Sequence, residues 1–208
     1  MDRYADAPDE TAVSLAAMPA TSSRRTHYTY EDYLSLEDLS LIRHEYFDGE
    51  IYAMAGGTPE HSALAFRVLL LIGQQLRGPS RGFTSDLRVR TPTGLTTYPD
   101  GAIVCLEVQR APEDRLAVSN PTVLIEVTSN STEQYDRGVK LLHYQSIPAL
   151  KEVVIVSHSE RRITIHRRQD TGGWTSLDAV PGESAKLESI GATVRVDDVY
   201  RDGLADAG

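Results

Sequence analysis

Two carboxylates lie where apolar residues would be expected. Asp100 follows Pro99 and leads into the run Ala102-Ile103-Val104-Cys105-Leu106, and Glu126 sits within Thr122-Val123-Leu124-Ile125-Glu126-Val127-Thr128. An acid inside an apolar strand is costly unless a cation or a proton donor answers it. Two such acids 26 positions apart, on neighbouring strands, suit a divalent cation. Mg²⁺ takes hard oxygen ligands, commonly one or two carboxylates with waters and a substrate phosphate. The chemistry would be hydrolysis of a phosphodiester, because a bound cation makes water more acidic and neutralises the charge that develops. A lysine near the attacking water would orient it and stabilise the transition state. Lys140 is the candidate. It shares a helix face with Asp136 and Tyr144 at i, i+4 and i+8 spacing in the segment after Glu126.

These residues need strands and helices to hold them. Thr29 caps a short helix beginning Tyr30-Glu31-Asp32-Tyr33-Leu34. Tyr46 to Met54 reads as a hairpin turning at Asp48-Gly49. Thr58-Pro59 starts a helix to about position 77, apolar nearly all round and therefore expected to be buried at the centre. Residues 85–90 alternate, with Leu87 and Val89 on one face and Asp86, Arg88 and Arg90 on the other. Residues 102–106 read as a buried strand, residues 107–120 as a polar loop. In the strand that follows, Val123, Ile125 and Val127 face one way and Leu124, Glu126 and Thr128 the other. Ser131 to Gln134 resembles a capping box opening a helix to about Ser146, with Tyr135, Val139 and Leu142 as its core stripe. Two further strands, 153–156 and 162–166, precede an edge strand at 174–177 and a short terminal helix or frayed tail at 197–208. The expected organisation is a flexible leader over 1–26, one α/β domain over 27–200 and a tail over 201–208.

The net charge of −9 speaks against a generic nucleic-acid binder. Residues 1–10 and 197–208 each carry four acids against one base, which leaves −3 for the stretch between them. The lone Cys105 allows no internal disulfide and fits a reducing, cytoplasmic setting. No apolar run reaches the roughly 18 residues of a membrane span, and no signal-peptide pattern opens the chain.

Each candidate also has a plain structural reading. Asp100 after proline suits an Asx turn, and Glu126 could pair with Arg88 or Arg90. Glu50 could cap the hairpin, and Asp86 could be the outward residue of an amphipathic strand. His61, third in its helix if Thr58 is the cap, could bond a backbone group or point toward the acids. Tyr144 and Asp136 could be packing or surface residues, and Arg88 and Arg90 could touch phosphate or be solvated.

Taken in order, Tyr30-Glu31-Asp32-Tyr33-Leu34, His44-Glu45-Tyr46-Phe47-Asp48-Gly49-Glu50, Met54-Ala55-Gly56-Gly57, His61, Tyr98-Pro99-Asp100, Ile125-Glu126-Val127-Thr128-Ser129 and Tyr135 through Lys140 to Tyr144 resemble the Uma2 family of restriction-endonuclease-like proteins, in the PD-(D/E)XK nuclease superfamily. The resemblance covers roughly 170 residues. It implies a restriction-endonuclease-like α/β fold, a central mixed sheet flanked by helices with an N-terminal helix and hairpin. It also implies Mg²⁺-dependent cleavage of DNA, with Mn²⁺ as substitute, and a homodimer able to cut both strands. Asp100 and Glu126 would bind metal, Glu50 at the end of the hairpin would assist, and Lys140 would replace the superfamily's strand lysine, whose position here is Thr128. His61, Asp86 and Tyr144 are weaker candidates. Two other functions remain open: a catalytically inactive nuclease-fold module that binds nucleic acid or protein, and a hydrolase of small phosphate esters.

Overall fold

The computed structural model describes residues 27–54 and 56–201. The leader expected over 1–26 and all of the tail except Arg201 lie outside the described residues.

Thr29 caps α1 (Tyr30–Leu39) through a reciprocal capping box with Asp32. The hairpin follows as β1 (His44–Phe47) and β2 (Glu50–Ala53). Its two-residue turn puts Asp48 at φ 47° and Gly49 at φ 77°, the left-handed pair that a primed turn needs. Thr58 caps α2 (Pro59–Gly73), accepting a hydrogen bond from the His61 amide. α2 is not apolar-buried on all sides. Leu64, Val68 and Ile72 form its buried stripe, whereas Phe66 is 66% exposed. The helix lies on one face of a sheet, so residues at i, i+4 and i+8 are buried there, with Ala65, Leu69 and Leu71 packed half-buried beside them.

The expected mixed α/β architecture is present, with twelve of the strands divided between two six-stranded sheets and a two-stranded hairpin beside them. The first runs β2, β1, β5 (Thr96–Thr97), β4 (Arg88–Arg90), β8 (Asp114–Val118), β7 (Arg110–Ala111). β7 and β8 correct the polar loop expected over 107–120. Their polar side chains hid them, because Asp114 is a buried partner of Arg88 rather than a loop residue. The second sheet runs β12 (Trp174–Ala179), β11 (Ile163–Arg168), β10 (Glu152–Val156), β9 (Val123–Val127), β6 (Gly101–Val104), β3 (Arg81–Thr84). β9 and β10 are parallel, and the other pairs in this sheet are antiparallel. β6 ends earlier than expected, with Cys105 half-buried and Leu106 70% exposed.

The second sheet separates two apolar layers. Val123, Ile125 and Val127 of β9 pack with Leu64, Val68 and Ile72 of α2. A hairpin of β13 (Ser184–Leu187) and β14 (Ala192–Arg195), unexpected from the sequence, and α5 (Val196–Val199) close this layer. On the other face Leu124 packs with Val153, Ile155, Leu141 and Tyr144. The alternation expected for β9 therefore holds, and Glu126 is on the Leu124 side. The expected helix over 131–146 is two pieces, α3 (Glu133–Arg137) and α4 (Val139–Gln145), without a side-chain cap at Thr132. No helix among the described residues is long and apolar enough to cross a membrane.

Candidate active site

β6 and β9 bring the two acids together. Gly101 pairs with Ile125 and Ala102 with Leu124. One more step along that antiparallel register sets Asp100 opposite Glu126, and opposite positions place Cβ atoms about 4.5–5.5 Å apart. Asp100 does not form a local turn. Its Oδ2 accepts the Val127 amide at 2.8 Å across the ladder. His61 reaches the same place from α2, with Nε2 2.8 Å from the Val127 carbonyl oxygen and 3.4 Å from Asp100 Oδ2. The Asp100 contact raises the His61 pKa against the opposing effect of burial.

Lys140 arrives from the helix after the strand, its Nζ 2.9 Å from Glu126 Oε1. It is 5% exposed, because the polar face of α3 and α4 is the buried one. Asp136, Lys140 and Tyr144 point inward, while Val139 and Leu142 are 53% and 66% exposed. This reverses the core stripe expected from Val139 and Leu142. Ion pairs with strand carboxylates, absent from any hydropathy pattern, decide which face is covered. Gly138 permits the break between the two helices, since a Cβ there would lie 2.7 Å from the Gln134 carbonyl oxygen. The Tyr144 hydroxyl donates to the same Glu126 oxygen as Lys140.

A third carboxylate completes the setting. Glu45 of β1, outside the expected site, places Oε1 3.2 Å from Lys140 Nζ. Thr97 also donates to Glu45 Oε1, and the Tyr135 hydroxyl donates to Oε2 at 3.1 Å. Asp136 Oδ1 is 3.6 Å from Lys140 Nζ. The signal that could have found Glu45 was the hairpin. A two-residue turn puts Glu45 opposite Tyr52 and Phe47 opposite Glu50, so Glu45 and Glu50 share one face. Glu50 sits nearer the turn and accepts from the Tyr52 hydroxyl. Asp86 stands apart, exposed and paired with Arg43. Arg88 does not pair with Glu126, being bound to Asp114 at 2.9 Å, and Arg90 pairs with Glu113 at 3.0 Å. Thr128 bonds His158 Nδ1 at 2.8 Å, tying the ends of β9 and β10 together.

Three acids, Glu45, Glu126 and Asp136, surround one ammonium. Burial, reinforced by Asp100 and Asp136, pushes the Glu126 carboxyl up to about 8 despite Lys140 beside it. Burial also raises Asp136, and the surrounding acids keep Lys140 protonated, its pKa well above the usual lysine value. Glu126 Oε2 and Asp100 Oδ1 take no hydrogen bond among the described residues. Hard oxygens in a locally over-acidic setting fit a divalent cation. Among the described residues no three His, Cys, Asp or Glu side chains converge to hold a metal. What the described residues offer such an ion is two carboxylate oxygens, Glu126 Oε2 and Asp100 Oδ1.

The Uma2 family model, described as "Putative restriction endonuclease", matches residues 30–197. The chain belongs to the Uma2 family. Two similar proteins come from Synechocystis sp. (strain ATCC 27184 / PCC 6803 / Kazusa). The uncharacterized protein slr1290 is 37% identical over 180 residues, covering 84% of this chain and 92% of its own. The uncharacterized protein sll1609 is 27% identical over 162 residues, covering 77% and 91%. A crystal structure from Anabaena variabilis ATCC 29413, titled as a "putative nuclease belonging to DUF820", matches with a TM-score of 0.67 at 18% identity, covering 83% of this chain and 97% of that one. At that identity the likeness speaks for the fold. The family match and the likeness in fold cover nearly the same part of the chain, which includes Asp100, Glu126 and Lys140.

Proposed function

We propose that this Uma2 protein is a Mg²⁺-dependent endonuclease that hydrolyses DNA phosphodiester bonds. The observation that carries the reading is Lys140 Nζ 2.9 Å from Glu126 Oε1, delivered from the helix after the strand, with Asp100 at the neighbouring ladder position. Asp100 and Glu126 would hold Mg²⁺, or Mn²⁺ in its place. The cation supplies acidification of water and neutralisation of developing charge. Lys140 presents a fixed ammonium to the phosphate, which lowers the cost of charge at the transition state. Tyr144 and Lys140 orient Glu126 through Oε1 and leave Oε2 for the cation. His61 and the Val127 amide orient Asp100. Glu50 assists from the hairpin face it shares with Glu45. The proposal includes a cytoplasmic setting and a homodimer, which sedimentation of the purified protein would test.

The deciding experiment is plasmid cleavage with Mg²⁺ or Mn²⁺, comparing wild type with Glu126→Gln, Asp100→Asn and Lys140→Met. Losses of about 100-fold or more are expected for Glu126→Gln and Asp100→Asn. Cleavage unchanged in the Glu126 variant overturns the mechanism. One observation favours an inactive binding module: the Lys140 ammonium is already engaged by three carboxylates. That reading predicts DNA retention without cleavage by the wild type.

A further inference from the structure

Glu45 and Glu126 belong to different sheets, and Lys140 is the group that joins them. Glu45 is on β1 of the first sheet, Glu126 on β9 of the second, and Nζ of Lys140 lies 3.2 Å from one and 2.9 Å from the other. Tyr135 and Tyr144 flank the ammonium, with ring centroids 5.9 and 5.8 Å away. Glu45 is itself aimed, by Thr97 at Oε1 and Tyr135 at Oε2. A lysine held by Glu126 alone would neutralise the carboxylate that a cation needs. A second anchor on the opposite sheet removes that conflict, because Glu126 can then turn its charge to the cation while Lys140 stays in place.

We propose that Glu45 is a positioning residue of the nuclease site, holding Lys140 in common with Glu126 so that the ammonium stays fixed when Glu126 engages a metal. The inference rests on the nuclease reading of the same residues, but its test does not require cleavage. The chain has only three lysines, Lys140, Lys151 and Lys186, and the latter two are exposed. In protein labelled with ¹⁵N-lysine, Lys140 therefore gives the slowly exchanging ammonium signal.

Glu45→Gln should speed exchange of that signal by about tenfold, because a buried charge-assisted bond is lost. It should also lower kcat for plasmid cleavage by about tenfold with KM for DNA changed less than about twofold. The kcat loss should vanish in a Lys140→Met background, since the two residues act as one unit. An unchanged Lys140 signal overturns the proposal, and so does an equal kcat loss with Lys140 already replaced. If the wild type cuts nothing, the ammonium signal still decides the role of Glu45, and only the nuclease reading fails. If Glu45→Gln does not fold, Tyr135→Phe removes one hydroxyl and should move the same signal in the same direction, to a smaller extent. No movement there overturns the proposal as well.

Discussion

Two buried charge clusters in this protein each gather acids and tyrosines around one cation and end in opposite states. Around Arg88, one guanidinium meets Asp114 at 2.9 Å and Glu37 at 3.6 Å. Tyr30 and the Leu116 amide also donate to Asp114, and Tyr98 and His44 to Glu37. Burial alone would raise the Asp114 carboxyl, but these donors outweigh it and hold it below the usual range. Around Lys140, one ammonium faces Glu45, Glu126 and Asp136, with Asp100 nearby, and Glu126 is pushed up to about 8. The Arg88 cluster has enough donors for its acids and is a structural joint. The Lys140 cluster is short of positive charge. On the proposed function, that shortage is what a cation would make good, at the expense of stability in the metal-free protein.

Removing the cation from each cluster gives the largest expected effect. Arg88→Met leaves two acids buried without their cation and should cost about 3–5 kcal/mol in urea unfolding, whether or not Mg²⁺ is present. Lys140→Met should also destabilise, but on the proposed function the loss should shrink when Mg²⁺ is added, because acids freed of the lysine would bind the ion more tightly than in the wild type. Equal insensitivity of both variants to Mg²⁺ would erase the distinction between the clusters.

Removing an acid should separate them by sign. Asp114→Asn is expected to lose about 1–3 kcal/mol, since the Arg88 and Tyr30 bonds are broken or weakened. Glu126→Gln should leave stability unchanged or raise it by about 1 kcal/mol while abolishing cleavage. A Glu126 variant as unstable as the Asp114 one would mean that the Lys140 cluster is structural too.

The pH dependence follows with opposite slopes. Glu126 is raised, so the folded protein keeps a proton that the unfolded chain releases between about 4.5 and about 8. Stability attributable to this group falls as pH rises through that window. Asp114 is lowered, so its contribution is present above the ordinary carboxylate range and is lost as pH falls through its folded value. Metal-free urea midpoints should therefore decline from mildly acidic to mildly alkaline pH in the wild type, less so in Glu126→Gln. Asp114→Asn should flatten only the acid limb. The smallest expected effect is that of Tyr144→Phe, about 1 kcal/mol or less, because Lys140 still holds the same Glu126 oxygen.

Much of the site was legible because its clues are local. Alternation in β9 put Glu126 on the face opposite Val123, Ile125 and Val127, and i, i+4 spacing put Lys140 with Asp136 and Tyr144. For Glu45 the hairpin recorded only the face it shares with Glu50, because its partner Lys140 lies in a distant helix and reaches it only after two sheets meet. The same blindness turned 107–120 into a loop. Asp114 reads as polar until Arg88 is beside it.

By itself the sequence determined the turn at Asp48-Gly49, the caps at Thr29 and Thr58 and the alternation of β9. Steric and hydrogen-bond preferences within a few residues settle such features. Tertiary structure alone decided that α3 and α4 bury their charged face, that Arg88 answers Asp114 rather than Glu126, and that Glu45 holds Lys140 from the opposite sheet. The energy of a buried charge depends on which distant partner reaches it, and no local pattern records that partner.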